Sequence, residues 1–156
     1  MNYTFSMNPD TKPAVSATLT LPCLFCGSWN RVNSDRVRDR PKCGECGKPM
    51  LLDRPFPLSD ETFERVIAEA GIPVIVDFYA DWCGPCRVMA PEMDTFAANH
   101  TGEYFAAKVD TDRSPITAQQ FNVRSIPTVM RFEAGGKTAE RAGAMRLAEI
   151  EAFAKS

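Results

Sequence analysis

VIVDFYADWCGPC, residues 74–86, carries the strongest pattern in this chain of 156 residues. Its first half is apolar and β-branched, which predicts a central strand buried on both faces. An amphipathic segment follows, so the strand passes into a helix at Cys83. A thiol at a helix N-terminus meets unsatisfied N–H groups and the positive end of the helix dipole, and both favour the reactive thiolate. A second thiol one turn later, Cys86, can attack a mixed disulfide formed by the first. The spacing predicts a reversible dithiol/disulfide catalyst.

Regular patterns continue on both sides of this motif and predict an α/β fold. Ser59 is the expected N-cap of a helix whose buried face holds Phe63, Val66 and Ile67. The proline in Phe56-Pro57-Leu58 is typical of an edge strand. The other patterns predict a helix over 83–99, a buried strand over 104–109, a short helix after Pro115, a hairpin over 128–141 and a terminal helix around 147–153.

Composition excludes several functional classes. With 44% hydrophobic residues the chain can bury a core, and its net charge of −2 argues against a general nucleic-acid binder or a membrane-surface protein. Residues 1–55 carry a net charge of +3 and residues 56–156 carry −5, which indicates two units. No run of 18 apolar residues and no secretion signal is visible, so we expect a cytoplasmic protein.

All six cysteines fall into C-x-x-C pairs, which in such a chain indicate metal or redox chemistry. The first two pairs are 16 residues apart and follow the zinc-ribbon pattern. We expect a tail over 1–20, a zinc ribbon over 21–52 and a larger domain over 53–156. Four thiolates close the coordination shell, so the site is expected to be structural. Two disulfides, or an iron or iron–sulfur site, are the alternatives. The predicted ligands of the single zinc ion are Cys23, Cys26, Cys43 and Cys46.

From about Phe56 to the C-terminus the sequence resembles the thioredoxin family, which has a central mixed sheet flanked by helices. A bare C-x-x-C motif is weak evidence, but an ordered set of motifs at compatible spacings is strong. With the ribbon, the chain resembles the bacterial thioredoxin-2 group. The matching segments are Val76-Asp77-Phe78, Trp82 to Cys86, Pro91, Lys108-Val109-Asp110, Ser125-Ile126-Pro127-Thr128, Phe132 with Gly135, and Gly143-Ala144.

The expected chemistry is reduction of protein disulfides. Cys83 is the expected exposed nucleophile, and Cys86 is the buried thiol that resolves the mixed disulfide. Asp77 lies in an apolar strand, so burial should raise its pKa and suit it to accept the proton of Cys86. The resemblance places Lys108 near this carboxylate. The alternatives are half of a metal site for the two cysteines and an ordinary strand-edge carboxylate for Asp77.

The resemblance also implies a substrate groove and a partner. Pro127 resembles the family's cis-proline opposite the dithiol, the alternative being an ordinary trans turn. Gly84-Pro85 matches the reducing members, and Tyr79 stands where the family more often has tryptophan. Electrons would come from a flavoenzyme, thioredoxin reductase, so NADPH and FAD act only indirectly, and no organic cofactor binds this chain. The predicted groove residues are Trp82, Gly84, Pro85, Ile126, Pro127, Gly143 and Ala144.

The sequence does not determine the function of the ribbon. Basic residues at 31–42 are interrupted by Asp35 and Asp39, which favours a solvated face over a nucleic-acid patch. Zinc-bound thiolates can be oxidised, so a zinc-dependent redox-sensing or partner-binding module is the alternative function. His100, the single histidine, is expected at the surface or at a helix end.

Overall fold

The computed structural model describes residues 17–156. Within them a two-stranded antiparallel sheet precedes a five-stranded mixed sheet and four helices. No helix among the described residues is long and apolar enough to cross a membrane. The elements are β1 (Thr18–Pro22), β2 (Trp29–Asn33), a 3₁₀ helix (Ser34–Asp39), β3 (Phe56–Leu58), α1 (Phe63–Glu69), β4 (Val74–Tyr79), α2 (Gly84–Asn99), β5 (Phe105–Asp110), α3 (Pro115–Gln120), β6 (Thr128–Glu133), β7 (Gly136–Ala142) and α4 (Leu147–Lys155).

The large sheet has the strand order β3-β5-β4-β6-β7. β3 and β4 both pair in parallel with β5, whereas β6 runs antiparallel to β4 and to β7. The α/β mixed sheet flanked by helices is therefore confirmed, including Phe56–Leu58 as an edge strand. Because β3, β4 and β5 are parallel, their carboxyl ends meet at one edge of the sheet, where Cys83 follows β4.

Alternating side chains of β4 pack into two hydrophobic layers, one on each face of the sheet. Ile75 packs with α2 and α4, whose buried residues include Phe96 and Ile150. Val76 and Phe78 point to the opposite layer, with α1. Since successive side chains of a strand point to opposite faces, Asp77 lies on the α2 face, the same face as Ile75. The strand thus places one carboxylate directly under the helix that carries the cysteines.

The ribbon packs on the larger sheet through a shared hydrophobic cluster. Leu19 and Leu21 of β1 are fully buried in the same cluster as Phe56 and Val66. A backbone hydrogen bond of 2.9 Å from Gly71 N–H to the carbonyl of Thr18 fixes the contact. A chain segment of this size buries little apolar surface by itself, so packing on the larger unit supplies part of its folding free energy.

Two predictions need correction. The tail predicted over 1–20 is too long, because Thr18–Thr20 belong to β1, in which every residue after Thr18 is buried. The rest of that prediction, residues 1–16, lies outside the described residues. The predicted cap at Ser59 is wrong: α1 begins at Phe63 with Thr62 as its N-cap. Asp60 instead accepts hydrogen bonds from Thr117 N–H (2.8 Å) and Thr117 Oγ1 (2.7 Å), so it caps α3.

Candidate redox site and metal centre

Cys83 is the N-cap of α2, and its side chain lies over the first turn of that helix. The Sγ atom accepts a hydrogen bond of 3.2 Å from Cys86 N–H. The two cysteines are joined in a disulfide, with their Cα atoms 5.3 Å apart. A sulfur in this position takes the place of the oxygen that usually caps a helix. When the disulfide is reduced, the same N–H group and the helix dipole favour the thiolate of Cys83.

The prediction that Cys83 is exposed is wrong for the oxidised chain. Cys83 and Cys86 are each only 4% exposed. Cys83 Sγ lies 3.7 Å from the carbonyl oxygen of Ile126, and the peptide bond between Ile126 and Pro127 is cis. This contact with the Ile126 loop joins residues 43 positions apart, and the position of Cys83 at a helix start does not reveal it.

Each cysteine faces a different space. Cys83 lines an open groove of about 420 Å³, whereas Cys86 lines a separate pocket of about 210 Å³. Trp82, at 68% exposure, stands at the edge of the groove. Cys83 is therefore the sulfur that faces the open groove, and Cys86 faces the inner pocket.

Most predicted groove residues lie together. Trp82, Gly84, Pro85 and Ile126 line the groove beside Cys83. Pro127 is buried behind it, and its carbonyl accepts a hydrogen bond of 2.9 Å from Gly143 N–H.

Gly143 and Ala144, which were also predicted, do not line this groove, although both are exposed. Sequence reasoning missed Thr111, Val123, Arg124 and Ser125, which complete the groove wall.

Asp77 is a buried carboxyl group in the inner pocket. It is 6% exposed, and its Oδ1 atom has no hydrogen-bond partner among the described residues. Burial raises the pKa of Asp77 to about 7, and the positive charge of Lys108 opposes this rise only in part. Asp77, Lys108 and Cys86 all line the pocket. A carboxyl group with this pKa can exchange protons near neutral pH.

Lys108 lies opposite Asp77 in the pairing of β5 with β4. Its ammonium group lies 5.7 Å from the centroid of the Tyr79 ring. Tyr79 is half-buried and also lines the inner pocket, so an aromatic wall is kept at this position. The lysine charge therefore lies near an aromatic ring, on the strand next to the one that carries the buried acid.

Two further contacts at the dithiol were not predicted. The indole N–H of Trp82 donates a hydrogen bond of 2.9 Å to Asp112, which holds the exposed ring. Arg87 donates two hydrogen bonds, of 2.8 Å and 2.6 Å, to the carbonyl oxygen of Asp81. These two hydrogen-bonded contacts involve exposed side chains, and no periodic pattern in the sequence predicts them.

The other four cysteines form a compact sulfur cluster. All four Sγ atoms lie within 4.8 Å of one another, and the Cys23–Cys46 and Cys26–Cys43 pairs are 3.6 Å apart. Sulfurs bound to one tetrahedral zinc ion are about 3.8 Å apart. None of the four takes part in a disulfide. The donor set and its spacing therefore fit a tetrahedral thiolate site.

Two equivalent turns shape the cluster. In each turn the first cysteine accepts a backbone bond from a glycine four residues later, Gly27 (φ 79°) or Gly47 (φ 75°). This positive φ is one that glycine adopts without steric cost. N–H groups of Phe25 and Glu45 point at the sulfurs of the first cysteines, each at 3.4 Å. Such donors stabilise thiolate ligands.

Asn30 is a support of the cluster that sequence reasoning missed. Its amide nitrogen lies 3.4 Å from Cys43 Sγ, and its oxygen accepts from Gly44 N–H at 3.0 Å. A hydrogen bond within the second turn, from Cys46, and the bond from Asn30 lower the pKa of Cys43 to about 6. A thiol that ionises this readily is suited to metal binding.

His100 was expected at the surface or at a helix end, and it is the C-cap of α2. The helix-end position is confirmed, and the side chain is 14% exposed. The two ring nitrogens contact Glu103 at 3.1 Å and Glu151 at 2.8 Å, and the ring packs on Phe96 with centroids 4.8 Å apart. Burial lowers the pKa of His100, but the bonds to both glutamates outweigh it and raise the pKa.

Comparison with known families accounts for both sites. A family model described as "Thioredoxin" matches residues 54–156, and one described as "Thioredoxin 2, N-terminal" matches residues 22–48. The first covers the sheet, the dithiol and the buried acid. The second covers the four clustered cysteines.

Similar proteins span both parts of the chain or the larger part alone. Thioredoxin C-3 of Corynebacterium nephridii is 35% identical over 133 residues, covering 85% of this chain and 91% of its own. Thioredoxin of Acidithiobacillus ferridurans is 38% identical over 99 residues, covering 64% of this chain and 92% of its own. The solved structure of a mutant thioredoxin from Halobacterium salinarum NRC-1 superposes with a TM-score of 0.61 at 28% identity, covering 67% of this chain and 90% of that one.

Proposed function

This chain belongs to the thioredoxin family of thiol–disulfide oxidoreductases and carries that family's zinc-ribbon N-terminal region, and we propose that it works as a protein-disulfide reductase. The main observation behind this proposal is the Cys83–Cys86 disulfide at the start of α2, with Asp77 in the pocket that Cys86 lines. Gly84 and Pro85 between the cysteines resemble the reducing members, which supports this direction.

In the first step the Cys83 thiolate attacks one sulfur of a substrate disulfide. The substrate S–S bond breaks, a new bond joins Cys83 to the substrate, and the departing sulfur takes a proton. The groove residues Trp82 and Ile126 hold the substrate backbone beside the sulfur. An extended segment bound here presents its disulfide to Cys83 from the open side.

In the second step Cys86 closes the ring. Asp77, ionised above its pKa of about 7, takes the Cys86 proton, directly or through one water in the pocket. The Cys86 thiolate then attacks the Cys83 sulfur, and the second substrate sulfur leaves as a thiol. The substrate has gained two electrons and two protons, and the chain holds the disulfide. Tethering of the two cysteines makes this attack unimolecular, with effective molarities on the order of 10⁵ M or more.

We propose that the ribbon cysteines hold one structural zinc ion. Cys23, Cys26, Cys43 and Cys46 would be its ligands, with Asn30 and two backbone N–H groups supporting the sulfurs. Bound zinc would supply a crosslink between the two turns and thereby folding free energy. Its four protein ligands leave no position for a reactant.

The proposal includes a redox cycle and a location. Thioredoxin reductase, a flavoenzyme fed by NADPH, would return the disulfide to the dithiol, and disulfide-bearing proteins would be the substrates. Cysteine pairs used for redox and metal chemistry fit a reducing compartment, which supports a cytoplasmic location. The domain division at residues 52 and 53 remains a proposal, because the ribbon and the larger unit share one hydrophobic cluster.

A reduction assay on insulin tests this function. Wild type and Cys86→Ser should both capture substrate in a first encounter, but only wild type should turn over with dithiothreitol as reductant. Cys86→Ser should accumulate a mixed disulfide visible by mass spectrometry, and Cys83→Ser should do neither. Turnover by Cys83→Ser at the wild-type rate would contradict the mechanism.

The exposed position of Cys26 and Cys46 favours a second candidate role for the ribbon, as a zinc-dependent redox-sensing or partner-binding module. Cys43→Ser removes one zinc ligand and leaves the dithiol in place. The rate of insulin reduction is measured in both proteins with and without mild peroxide. If peroxide changes the rate of wild type but leaves that of Cys43→Ser unchanged, this supports the sensing role. Identical responses of the two proteins would exclude it.

A further inference from the structure

A second groove, here called the ribbon groove, lies between the first cysteine turn and the larger domain. It has a volume of about 520 Å³. The ribbon contributes Leu24 and Gly27 to one wall, and the loop after β5 contributes Arg113 and Ser114 to the other. Tyr79 and Lys108 line both this groove and the inner pocket of Cys86, while the residues from the ribbon line only the groove.

The ribbon groove opens at the same edge of the sheet as the dithiol. Its floor includes Leu58 at the end of β3, Tyr79 at the end of β4 and Asp110 at the end of β5. Those three strands are parallel, so these ends lie together at the edge where Cys83 follows β4. Clefts outside the carboxyl ends of parallel strands are where open α/β sheets bind their ligands.

One large exposed hydrophobic side chain lines this groove, and two others lie within two residues of it in the sequence. Five large hydrophobic side chains are exposed in the described structure, among them Leu24 (43%), Phe25 (52%) and Ile116 (69%). Leu24 lines the groove and Phe25 is its neighbour. Ile116 follows Ser114 by two residues, and its N–H group contacts Asp60, which lies between two residues of the groove wall. Leu24 is therefore an exposed apolar side chain in the wall of a groove, a setting that suits an apolar partner.

The loop 110–114 separates the ribbon groove from the dithiol groove and borders both. Thr111 lines the dithiol groove, while Asp110 and Arg113 line the ribbon groove. Trp82 is tied to this loop through Asp112. A polypeptide that lies in the dithiol groove can therefore cross the loop into the ribbon groove without leaving the surface.

Charge in the ribbon groove is balanced. Lys108 and Arg113 stand against Glu61 and Asp110, and Arg113 pairs with Asp110 at 3.8 Å. A strongly charged ligand gains little from such a set, whereas an apolar side chain gains by burial against Leu24 and the floor.

Building on the proposed function, we infer that the ribbon groove is a second docking subsite for the protein substrate. It takes an apolar side chain of the same polypeptide whose disulfide reacts at Cys83. The ribbon would thereby distinguish protein disulfides, which reach both grooves, from small disulfides, which reach only the first. Hot spots of protein interfaces are apolar or aromatic anchors in such pockets.

The test compares insulin with the small disulfide 5,5′-dithiobis(2-nitrobenzoate). Leu24→Ser with Phe25→Ser changes the ribbon wall at Leu24 and the exposed ring next to it in the chain. Ile116→Ser changes an exposed side chain two residues beyond Ser114 of the opposite wall and leaves the ribbon untouched. We expect KM for insulin to rise about three- to tenfold in each variant, with an unchanged rate on the small disulfide. Val88→Ser, at an equally exposed position (73%) on α2, is the matched control and should change neither.

The outcomes separate this inference from the proposed function. An unchanged KM for insulin in both variants, at full zinc content, overturns the inference while reduction by wild type still stands. An equal rise in Val88→Ser overturns it too, because the effect is then not local to the groove. Inactivity of wild type on both disulfides refutes the proposed function itself. Zinc content measured on every variant excludes a misfolded ribbon as the cause.

Discussion

Asp77 and Lys108 lie opposite each other on neighbouring parallel strands, yet no ion pair joins them in the described part of the chain. The lysine ammonium group lies instead near the ring of Tyr79. The buried carboxylate therefore keeps most of its desolvation penalty, which raises its pKa to about 7. Charging Asp77 in the folded chain costs free energy that charging it in the unfolded chain does not.

The first prediction concerns stability. The pKa of Asp77 is about 7 in the folded chain and 3.8 in the reference state. Its contribution to folding stability is therefore fully present below about pH 3.8, where the group is protonated, and is lost as pH rises through 7. Asp77→Asn should therefore be more stable than wild type at pH 8, by about 2–4 kcal/mol. The advantage should shrink toward pH 5.5. Urea denaturation across this range measures it, and an advantage independent of pH would contradict the assigned pKa.

The second prediction concerns the rate at which Cys86 resolves a mixed disulfide. The base must be ionised, so this rate should rise as pH passes through about 7 in wild type. Asp77→Asn should be slower at pH 7 by about 10²-fold, and its rate should rise only at higher pH, where Cys86 ionises unaided. Stopped-flow measurement of substrate release gives both profiles. The same inflection in the variant would remove Asp77 from the proton transfer.

The third prediction concerns the contact between ribbon and sheet. A Cβ atom on Gly71 would lie 2.9 Å from Ala17 Cβ and 3.0 Å from the backbone of Thr18. Gly71→Ala should therefore push β1 outward and destabilise the chain by about 1–3 kcal/mol. Gly136→Ala is the control, because its Cβ would meet nothing closer than 3.8 Å. Chemical denaturation measures the free energy of unfolding of both variants. Equal losses of stability would show that β1 moves enough to relieve the crowding at Gly71.

Local patterns predicted the dithiol, the buried acid and the metal ligands, because each depends on short spacings or on one apolar strand. The position of the ribbon on the sheet could not be read in this way. Leu19 lay in the predicted tail, and nothing in the short run around Leu19 and Leu21 shows that these side chains pack in one cluster with Val66 of α1. The burial of Cys83 depends on the Ile126 loop, 43 residues away. Contacts between distant segments leave no period in the sequence.

Polar contacts were harder to foresee than apolar ones. Asp60 follows the predicted cap Ser59 directly, yet it accepts hydrogen bonds from the N–H groups of Ile116 and Thr117 in α3, 56 and 57 residues later. Asn30 stands in β2, where nothing marks it as a support for Cys43. A single polar side chain has no periodicity, so its partner becomes known only when the fold brings the two together.

The fourth prediction concerns the metal. We expect one zinc ion per wild-type chain and less than one in Cys43→Ser, measured by elemental analysis of the purified protein. Cys83→Ser is the matched control and should keep its zinc. Chelation should lower the unfolding midpoint of the whole chain, because the ribbon shares a hydrophobic cluster with the sheet. A midpoint unchanged by chelation, with the metal shown to be gone, would contradict this coupling.

The fifth prediction concerns His100, which joins the end of α2 to α4 through Glu151. Burial opposes its charge, but hydrogen bonds to Glu103 and Glu151 raise its folded pKa above 6.5. The stabilisation it provides is therefore complete below pH 6.5 and lost as pH rises through the folded value. His100→Gln should cost most near pH 6 and progressively less toward pH 8.5, because the neutral ring keeps only its packing on Phe96.

Denaturation of wild type and His100→Gln at several pH values measures this difference. Glu151→Gln, which removes one of the two carboxylates, should show the same trend with a smaller slope. Because Asp77 and the ribbon are identical in all three proteins, their own pH dependence cancels in the comparison. A cost of His100→Gln that grows toward alkaline pH would reverse the sign and show that the neutral imidazole, rather than the imidazolium, stabilises the end of α2.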